Sequence, residues 1–361
     1  MNITLFISGV TGGGAEKVAC ALASYLVNQE HQVELVTMLD EEATYPIDSK
    51  VSRYSLLKYN ERKGFVFNNT LRLLRLVRYL ICRKPDTYLV MLPTNTITLL
   101  SMRFLTSSKI IAAERANPAS YIISTQNKLI KIAHKADGWV FQTKEQENWY
   151  NEKCNLKSTI IIPNAINSDV LMPEYKGIRE KIIVTAGRLT DQKNHLLLIN
   201  AFSRIEKKYD DFMLVIYGEG PNRDVLTDRI KELELTGRVL IPGYSPDILQ
   251  NIRKASLFVL SSDYEGMPNA LMEAMALGLP CVSTDCDGGG SRYLIEDGKN
   301  GLLVPVKNEI ALADAIDKVL SDKEFAYSLG REAYKLCKTL APEIIYGQWE
   351  KYIKSIIGRQ Q

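Results

Sequence analysis

The sequence predicts an α/β chain made of two parallel-sheet domains, and three observations carry that prediction. Short apolar, β-branched runs alternate with amphipathic helical stretches along nearly all 361 residues. The alternation restarts after a polar stretch, 167–179, that contains Pro173 and Gly177. A glycine-bearing turn follows the first strand-like run of each series, at Gly9 to Gly14 and again at Gly187. Strands that alternate with helices form parallel sheets covered on both faces. The expected domains are 1–165, joined by a C-terminal helix at 342–361, and 180–341.

In the first series the strand-like runs are 2–8, 32–38, 87–92, 109–113, 138–141 and 159–162. Run 2–8 enters Ser8-Gly9-Val10-Thr11-Gly12-Gly13-Gly14 and then the helical stretch 15–27. Glycine is needed where backbone approaches a phosphate closely. A dinucleotide fingerprint fails in register, because Lys17 stands where the last glycine belongs, and no P-loop motif occurs. A tight strand-to-helix turn is the plainer reading of this cluster taken alone. The helical stretch 65–84 carries Arg72, Arg75 and Arg78 at three-residue spacing among leucines. Such a helix can lie on an anionic membrane surface or cover a sheet with a solvated arginine edge.

The second series begins at Lys181 with strand-like run 182–186, a helix from Asn194, strand-like run 212–217 and the turn Gly218-Glu219-Gly220-Pro221. Run 255–260 then leads into Ser261-Ser262-Asp263-Tyr264-Glu265-Gly266-Met267-Pro268-Asn269-Ala270-Leu271-Met272-Glu273. Pro268 suits the first residue of a helix, where its missing N–H goes unneeded, and Gly278 with Pro280 ends that helix. Glu265 then lies in the loop before the helix and Glu273 inside it. The amides of Asn269 and Ala270 at the helix start favour a phosphate. Two acceptors for hydroxyl groups thus flank an anion site, although a solvated loop glutamate and a helix-dipole glutamate would look the same in sequence. A final helix after Pro342 carries Ile344, Ile345, Trp349, Tyr352, Ile353 and Ile356 as its apolar stripe.

Composition sets the bounds. With 46% hydrophobic and 24% charged residues the chain is an ordinary globular one. No run of about 20 apolar residues suggests a bilayer span, and the N-terminus lacks a signal-peptide layout. Six cysteines without a C-x-x-C pair favour a reduced, cytosolic protein over a disulfide or zinc scaffold. Residues 1–165 hold 20 Lys/Arg against 14 Asp/Glu, and residues 166–361 hold 25 against 28. The basic first half is the one expected to meet something anionic.

Gly187-Arg188-Leu189 with Lys193, then Gly218-Glu219-Gly220-Pro221, then Glu265-x7-Glu273, then Gly298-x-Asn300-Gly301-Leu302-Leu303-Val304 follow one another as in GT-B glycosyltransferases of family 4. The Gly12-Gly13-Gly14-Ala15-Glu16-Lys17-Val18 turn resembles members that build bacterial surface polysaccharides. The resemblance covers nearly the whole chain. It implies two Rossmann-like domains facing across a cleft, with a nucleotide-sugar donor, most simply a UDP-sugar, bound mostly by the second.

The resemblance assigns Arg188 and Lys193 to the diphosphate and leaving group, Glu265 to donor-sugar hydroxyls and Glu273 to the ribose. Backbone at Gly266, Met267, Pro268, Asn269, Ala270 and Leu271 would contact sugar and phosphate, with Gly218 and Tyr244 as further contacts. Gly13 and Gly14 would close over the diphosphate from the first domain. Transfer would proceed with retention, without a cofactor, an essential metal or a protein nucleophile. The acceptor would be a polyprenyl-diphosphate-linked oligosaccharide, reached at the inner face of the cell membrane through the 66–84 helix. Arg72, Arg75, Arg78 and Arg103 are candidate lipid contacts, and no nucleic acid is expected.

The chain departs from the family at Glu114-Arg115, where many members carry a histidine, so Glu114 or Arg115 is the candidate replacement. His195 reads as structural. Asp285-Cys286-Asp287 matches the metal motif D-x-D of another glycosyltransferase fold, and a turn leading to the donor sugar is the simpler reading. Competing functions are a UDP-sugar epimerase of the same fold, a nucleotide-sugar-binding protein without chemistry and, weakest, a dehydrogenase.

Overall fold

The structure is a computed structural model that describes residues 1–11, 13–175 and 177–358. The chain divides into two compact units, one of Met1–Ala165 with the segment from Glu343 onward, the other of Ile166–Pro342.

In the first unit β1 (Asn2–Ile7), β2 (Gln32–Thr37), β3 (Ser52–Ser55), β4 (Thr87–Met91), β5 (Lys109–Ala113), β6 (Gly138–Phe141) and β7 (Thr159–Ile161) form one sheet in the order β3-β2-β1-β4-β5-β6-β7. Every pairing is parallel. The second unit has β8 (Glu180–Ala186), β9 (Met213–Tyr217), β10 (Val239–Gly243), β11 (Ala255–Leu260), β12 (Cys281–Thr284) and β13 (Leu302–Val304), ordered β10-β9-β8-β11-β12-β13 and again parallel throughout. Strand order reverses beside β1 in one sheet and beside β8 in the other. Open α/β sheets bind ligands at such switch points, outside the carboxyl ends of the strands.

The central strands are apolar because helices bury both faces. Phe6, Val36, Val90, Ile110, Ala112, Trp139 and Phe141 meet in the first core, and Ile183, Leu214, Ile216, Leu257, Val259 and Val282 in the second. Each strand run named from the sequence is present, with ends shifted by at most two residues. The structure adds β3, β10, β12 and β13, three of which are sheet edges. An edge strand is formed by its one neighbour and needs little apolar character of its own, so β10 tolerates Pro242.

From Glu343 onward the helix Pro342–Ile357 is built into the first unit, burying Ile345, Trp349, Tyr352, Ile353 and Ile356, whereas Ile344, expected on the same stripe, is exposed because it starts the helix one position off the buried face. The Tyr352 hydroxyl accepts from the Trp139 amide at 3.2 Å and lies 3.1 Å from the Ser158 carbonyl, and a Cβ at Gly138 would meet that hydroxyl at 2.6 Å. Glycine at position 138 is what lets the helix approach β6.

The helix Phe65–Cys82 corrects one expectation. It buries Leu76, Tyr79 and Leu80, as a sheet-covering helix should. Its arginine row does not present three free charges, however. Arg75 grips both carboxylate oxygens of Glu61 at 2.6 and 2.7 Å and donates to the Leu56 carbonyl. Arg103 is likewise committed, to Thr106 O and Asp137. Arg78 is exposed, on the same helix as exposed Phe65, Val66, Leu73 and Leu74. The outer face of this helix is therefore more apolar than basic.

Candidate active site

The second switch point is assembled from three turns at the carboxyl ends of β8, β9 and β11. After β8 the chain bends through Gly187-Arg188-Leu189, and after β9 through Gly218-Glu219-Gly220. Backbone bonds stitch these turns together, Leu189 N to Glu219 O at 2.9 Å and Asn222 N to Leu189 O at 3.0 Å. A Cβ on Gly218 would lie 1.9 Å from Gly187 O, and one on Gly220 would lie 2.3 Å from Leu189 O. The glycines are there for backbone packing between two turns. Gly218, expected to touch substrate, thus also has a structural reason to be glycine.

Lys193 ends the short turn Asp191–Lys193, and its aliphatic stem passes over Gly187, where a Cβ would meet Cε at 3.2 Å. Its Nζ lies 2.5 Å from Glu265 Oε1. The hydroxyl of Ser262, fully buried, donates to the same oxygen at 2.7 Å. The Lys193 and Glu265 side chains are only 14% and 8% exposed, so water screens the pair poorly. Glu265 is held at its backbone too, its N–H donating to Asp287 O at 3.1 Å. Two residues expected to bind different parts of one donor are here bonded to each other. Arg188, on the neighbouring turn, is exposed and forms no ion pair among the described residues.

The helix after this loop runs Asn269–Ala276, with Pro268 as its cap at ψ 97 rather than its first helical residue. Pro268 still contributes no N–H, and the amides of Ala270 and Leu271 belong to the first turn, where no intrahelical acceptor exists. Gly278 takes φ +73 and closes the helix, with Leu279 N bonding Ala274 O at 3.1 Å. Gly266, Met267, Pro268 and Leu271 are buried, and Asn269, Ala270 and Glu273 are half-buried. Tyr244, after β10, is exposed.

Asp285 and Asp287 do not act as a pair. Asp285 bonds Arg292 at 2.8 Å, whereas Asp287 is exposed and lends its carbonyl to Glu265. Cys286 between them is fully buried, and burial pushes its thiol up to about 11, so it is no thiolate nucleophile at neutral pH. His195 opens the helix His195–Ile205, is 3% exposed, and has its titration pushed down to about 4 by burial and by Lys193.

In the first unit Gly13 caps the helix Gly14–Asn28, and a Cβ on it would overlap the Glu16 carboxylate. Gly12 of the same motif lies outside the described residues. Glu114 is fully committed: Tyr121 and Tyr150 hydroxyls and the amides of Arg115 and Ala116 all donate to it. Three of these donors share Oε1 and only Tyr150 reaches Oε2, so the carboxylate is tied to the protein's own groups. Burial raises its carboxyl titration, the four donors opposing that rise. Arg115 is different. Among the described residues only Nη1 has an acceptor, Asn164 at 3.3 Å, while Nε and Nη2 have none, and the guanidinium sits 5.1 Å from the Trp349 ring. Burial pulls its titration down to about 10.

Ser262 is the site residue that the sequence did not single out. Its one signal was a pair of serines directly after an apolar strand, a pattern too common to mark a role.

Two doubly wound parallel sheets in one chain, the second with a lysine, an arginine and a glutamate at its switch point, define a protein of the GT-B fold. Residues 174–336 match the family model described as glycosyl transferases group 1. The chain is 29% identical over 351 residues to N-acetylgalactosamine-N,N'-diacetylbacillosaminyl-diphospho-undecaprenol 4-alpha-N-acetylgalactosaminyltransferase of Campylobacter jejuni, covering 92% of this chain and 93% of that protein. It is 23% identical over 358 residues to the amylovoran biosynthesis glycosyltransferase AmsD of Erwinia amylovora, covering 96% of this chain and 98% of that protein. Among solved structures, Anabaena HepE in complex with UDP superposes with a TM-score of 0.83 at 16% identity, over 98% of this chain and all of that one. These findings support a group 1 glycosyltransferase of the GT-B fold.

Proposed function

We propose that the protein is a family 4 enzyme that moves one sugar, with retention, from a UDP-sugar to a polyprenyl-diphosphate-linked oligosaccharide in bacterial surface-polysaccharide synthesis. The observation that carries this reading is the Lys193, Glu265 and Ser262 cluster, with Arg188 beside it, at the second switch point. The Campylobacter relative acts on a diphospho-undecaprenol-linked sugar and the Erwinia relative in amylovoran synthesis, by their names. The first name supports the acceptor class and the second the polysaccharide setting.

In this reading Lys193 and Arg188 take the diphosphate, joined by the first-turn amides of Ala270 and Leu271. They stabilise the negative charge that grows on the leaving phosphate oxygen as the anomeric C–O bond breaks. Glu265 accepts a donor-sugar hydroxyl with Oε2, since Lys193 and Ser262 both use Oε1. Glu273 accepts from the ribose. The new C–O bond forms on the face the diphosphate leaves, and the acceptor hydroxyl's proton passes to the departing phosphate oxygen. No protein nucleophile takes part, and two cations with a helix N-terminus offset the diphosphate without a metal. In the first unit Gly13, Gly14 and Arg115 are assigned to substrate, Arg115 because its Nε and Nη2 find no acceptor among the described residues.

No helix among the described residues is long and apolar enough to cross a membrane. The lipid acceptor is reached, in this proposal, by peripheral contact of the Phe65–Cys82 helix at the cytoplasmic membrane face. Leu73→Ser with Leu74→Ser should weaken vesicle binding about tenfold on neutral and anionic lipid alike, by lost apolar burial. Arg78→Gln should weaken it only a few-fold, on anionic lipid at low salt. Vesicle co-sedimentation unaffected by all three changes would remove the membrane contact.

The deciding assay offers UDP- and GDP-sugars with and without a polyprenyl-diphosphate glycan. Sugar transfer to the lipid-linked glycan with the donor's anomeric configuration kept is expected. Epimerised nucleotide sugar released without acceptor would replace the transferase by an epimerase, and nucleotide binding with no product in either arm would make the protein a binding module.

A further inference from the structure

We propose that Glu265 is an exchangeable counter-ion: with the donor site empty it neutralises Lys193, so a free nucleoside diphosphate has to displace a carboxylate before it can use that lysine. This rests on the donor-site reading above and adds to it a means of telling an intact nucleotide sugar from spent nucleotide.

Three observations carry the inference. The Lys193 Nζ to Glu265 Oε1 separation is 2.5 Å, so the ammonium is engaged head-on and not merely nearby. The pair is nine-tenths or so removed from solvent, where an ammonium left without a partner is strongly unfavourable. Third, the carboxylate is braced from behind: Ser262, itself fully buried, donates to Oε1, and the Ser262 carbonyl is in turn fixed by Thr284 Oγ1 at 2.6 Å. Glu265 therefore does not follow the lysine when the lysine turns away.

An exchange follows from the charges. When diphosphate arrives, Lys193 swaps one anion for another, and Glu265 is left as a buried carboxylate with only a serine hydroxyl. A donor-sugar hydroxyl at Oε2 supplies the missing hydrogen bond. Free nucleotide supplies none. The intact donor thus satisfies both halves of the opened pair, and the spent nucleotide satisfies one. Binding energy from the sugar is coupled to the lysine through Glu265, and after transfer the carboxylate favours reclaiming Lys193 and releasing the nucleotide.

The test measures UDP and inorganic diphosphate affinities by calorimetry for the full chain and for Glu265→Gln, Lys193→Met and the double variant. Glu265→Gln should bind UDP about tenfold more tightly than the unaltered chain, since the amide no longer competes for the ammonium. Lys193→Met should weaken UDP binding, and adding Glu265→Gln to it should change affinity less than twofold. That cycle separates a specific exchange from the general effect of removing a negative charge, which would persist without the lysine. Should Glu265→Gln fail to fold, Glu265→Asp, which draws the carboxylate back by one methylene, should give a gain of about threefold. Equal UDP affinity in the unaltered chain and Glu265→Gln, or an unchanged gain in the Lys193→Met background, overturns the exchange. Absence of UDP, GDP and diphosphate binding by the unaltered chain overturns the donor-site reading itself.

Discussion

The two switch points have the same topology and different chemistry. At the first, β1 is followed by Ser8, whose hydroxyl donates to Asn95 at 3.3 Å, while Asn95, 1% exposed, donates back to Ser8 and to the Met91 carbonyl. That pair is neutral, and the carboxylate that reaches the same turn, Glu41, accepts from the Thr11 hydroxyl at 3.2 Å. At the second, the equivalent place beside β8 holds the buried Lys193–Glu265 pair and an unpaired Arg188. A reversal of strand order provides a crevice in either sheet. The side chains on the turns decide whether it is ready for a charged ligand.

If the second edge carries the chemistry and the first positions the other substrate, Lys193→Met should lower kcat for transfer by about 100- to 1000-fold, the effect of removing one preorganised donor from a developing oxyanion. Ser8→Ala should lower it by less than about tenfold. Comparable losses in steady-state assays would erase the contrast.

The two glycine turns should differ in tolerance. Gly220→Ala sets a Cβ 2.3 Å from a backbone oxygen that is itself held in place, and about 3 kcal/mol of stability should go. Gly13→Ala meets the far end of the flexible Glu16 side chain at an extended φ of −109, and about 1 kcal/mol or less should go. Urea midpoints of the two variants check this, and the reverse ranking would mean that the first turn is the stiffer.

The smallest effect concerns pH. His195, next to the Lys193 turn, titrates at about 4 in the fold against an ordinary value near 6.5. The unfolded chain therefore takes up the proton first. Stability from this group is intact above about pH 6.5 and declines as pH falls toward 4, amounting to about 2 kcal/mol lost by pH 5 at about 1.4 kcal/mol per pH unit. His195→Gln has no such proton site and should show a correspondingly shallower decline between pH 7 and 5. Parallel profiles would show that the imidazole is not the source.

Sequence by itself determined the interior strands, because a strand buried on both faces must be apolar over its whole length, as 109–113 and 255–260 are. It also placed Arg188 and Lys193 after one strand-like run, 182–186, and Glu265 in the loop after another, 255–260, with Glu273 in the helix beyond. Gly278 and Pro280 marked a helix end for purely local steric reasons.

Tertiary structure decided the rest. β3 and β10 exist because β2 and β9 offer them a hydrogen-bonding edge, which no local pattern reports. Arg75 and Arg103 read as free charges until Glu61 and Asp137 came beside them from elsewhere in the chain. Glu114 read as an isolated carboxylate until two tyrosines and two amides came to donate to it. Lys193 and Glu265 lie 72 residues apart in sequence, and only the pairing of β8 with β11 brings their turns together. Charge and hydrogen-bond partners act through space over a few ångströms, so which groups neutralise one another is settled when the sheets form.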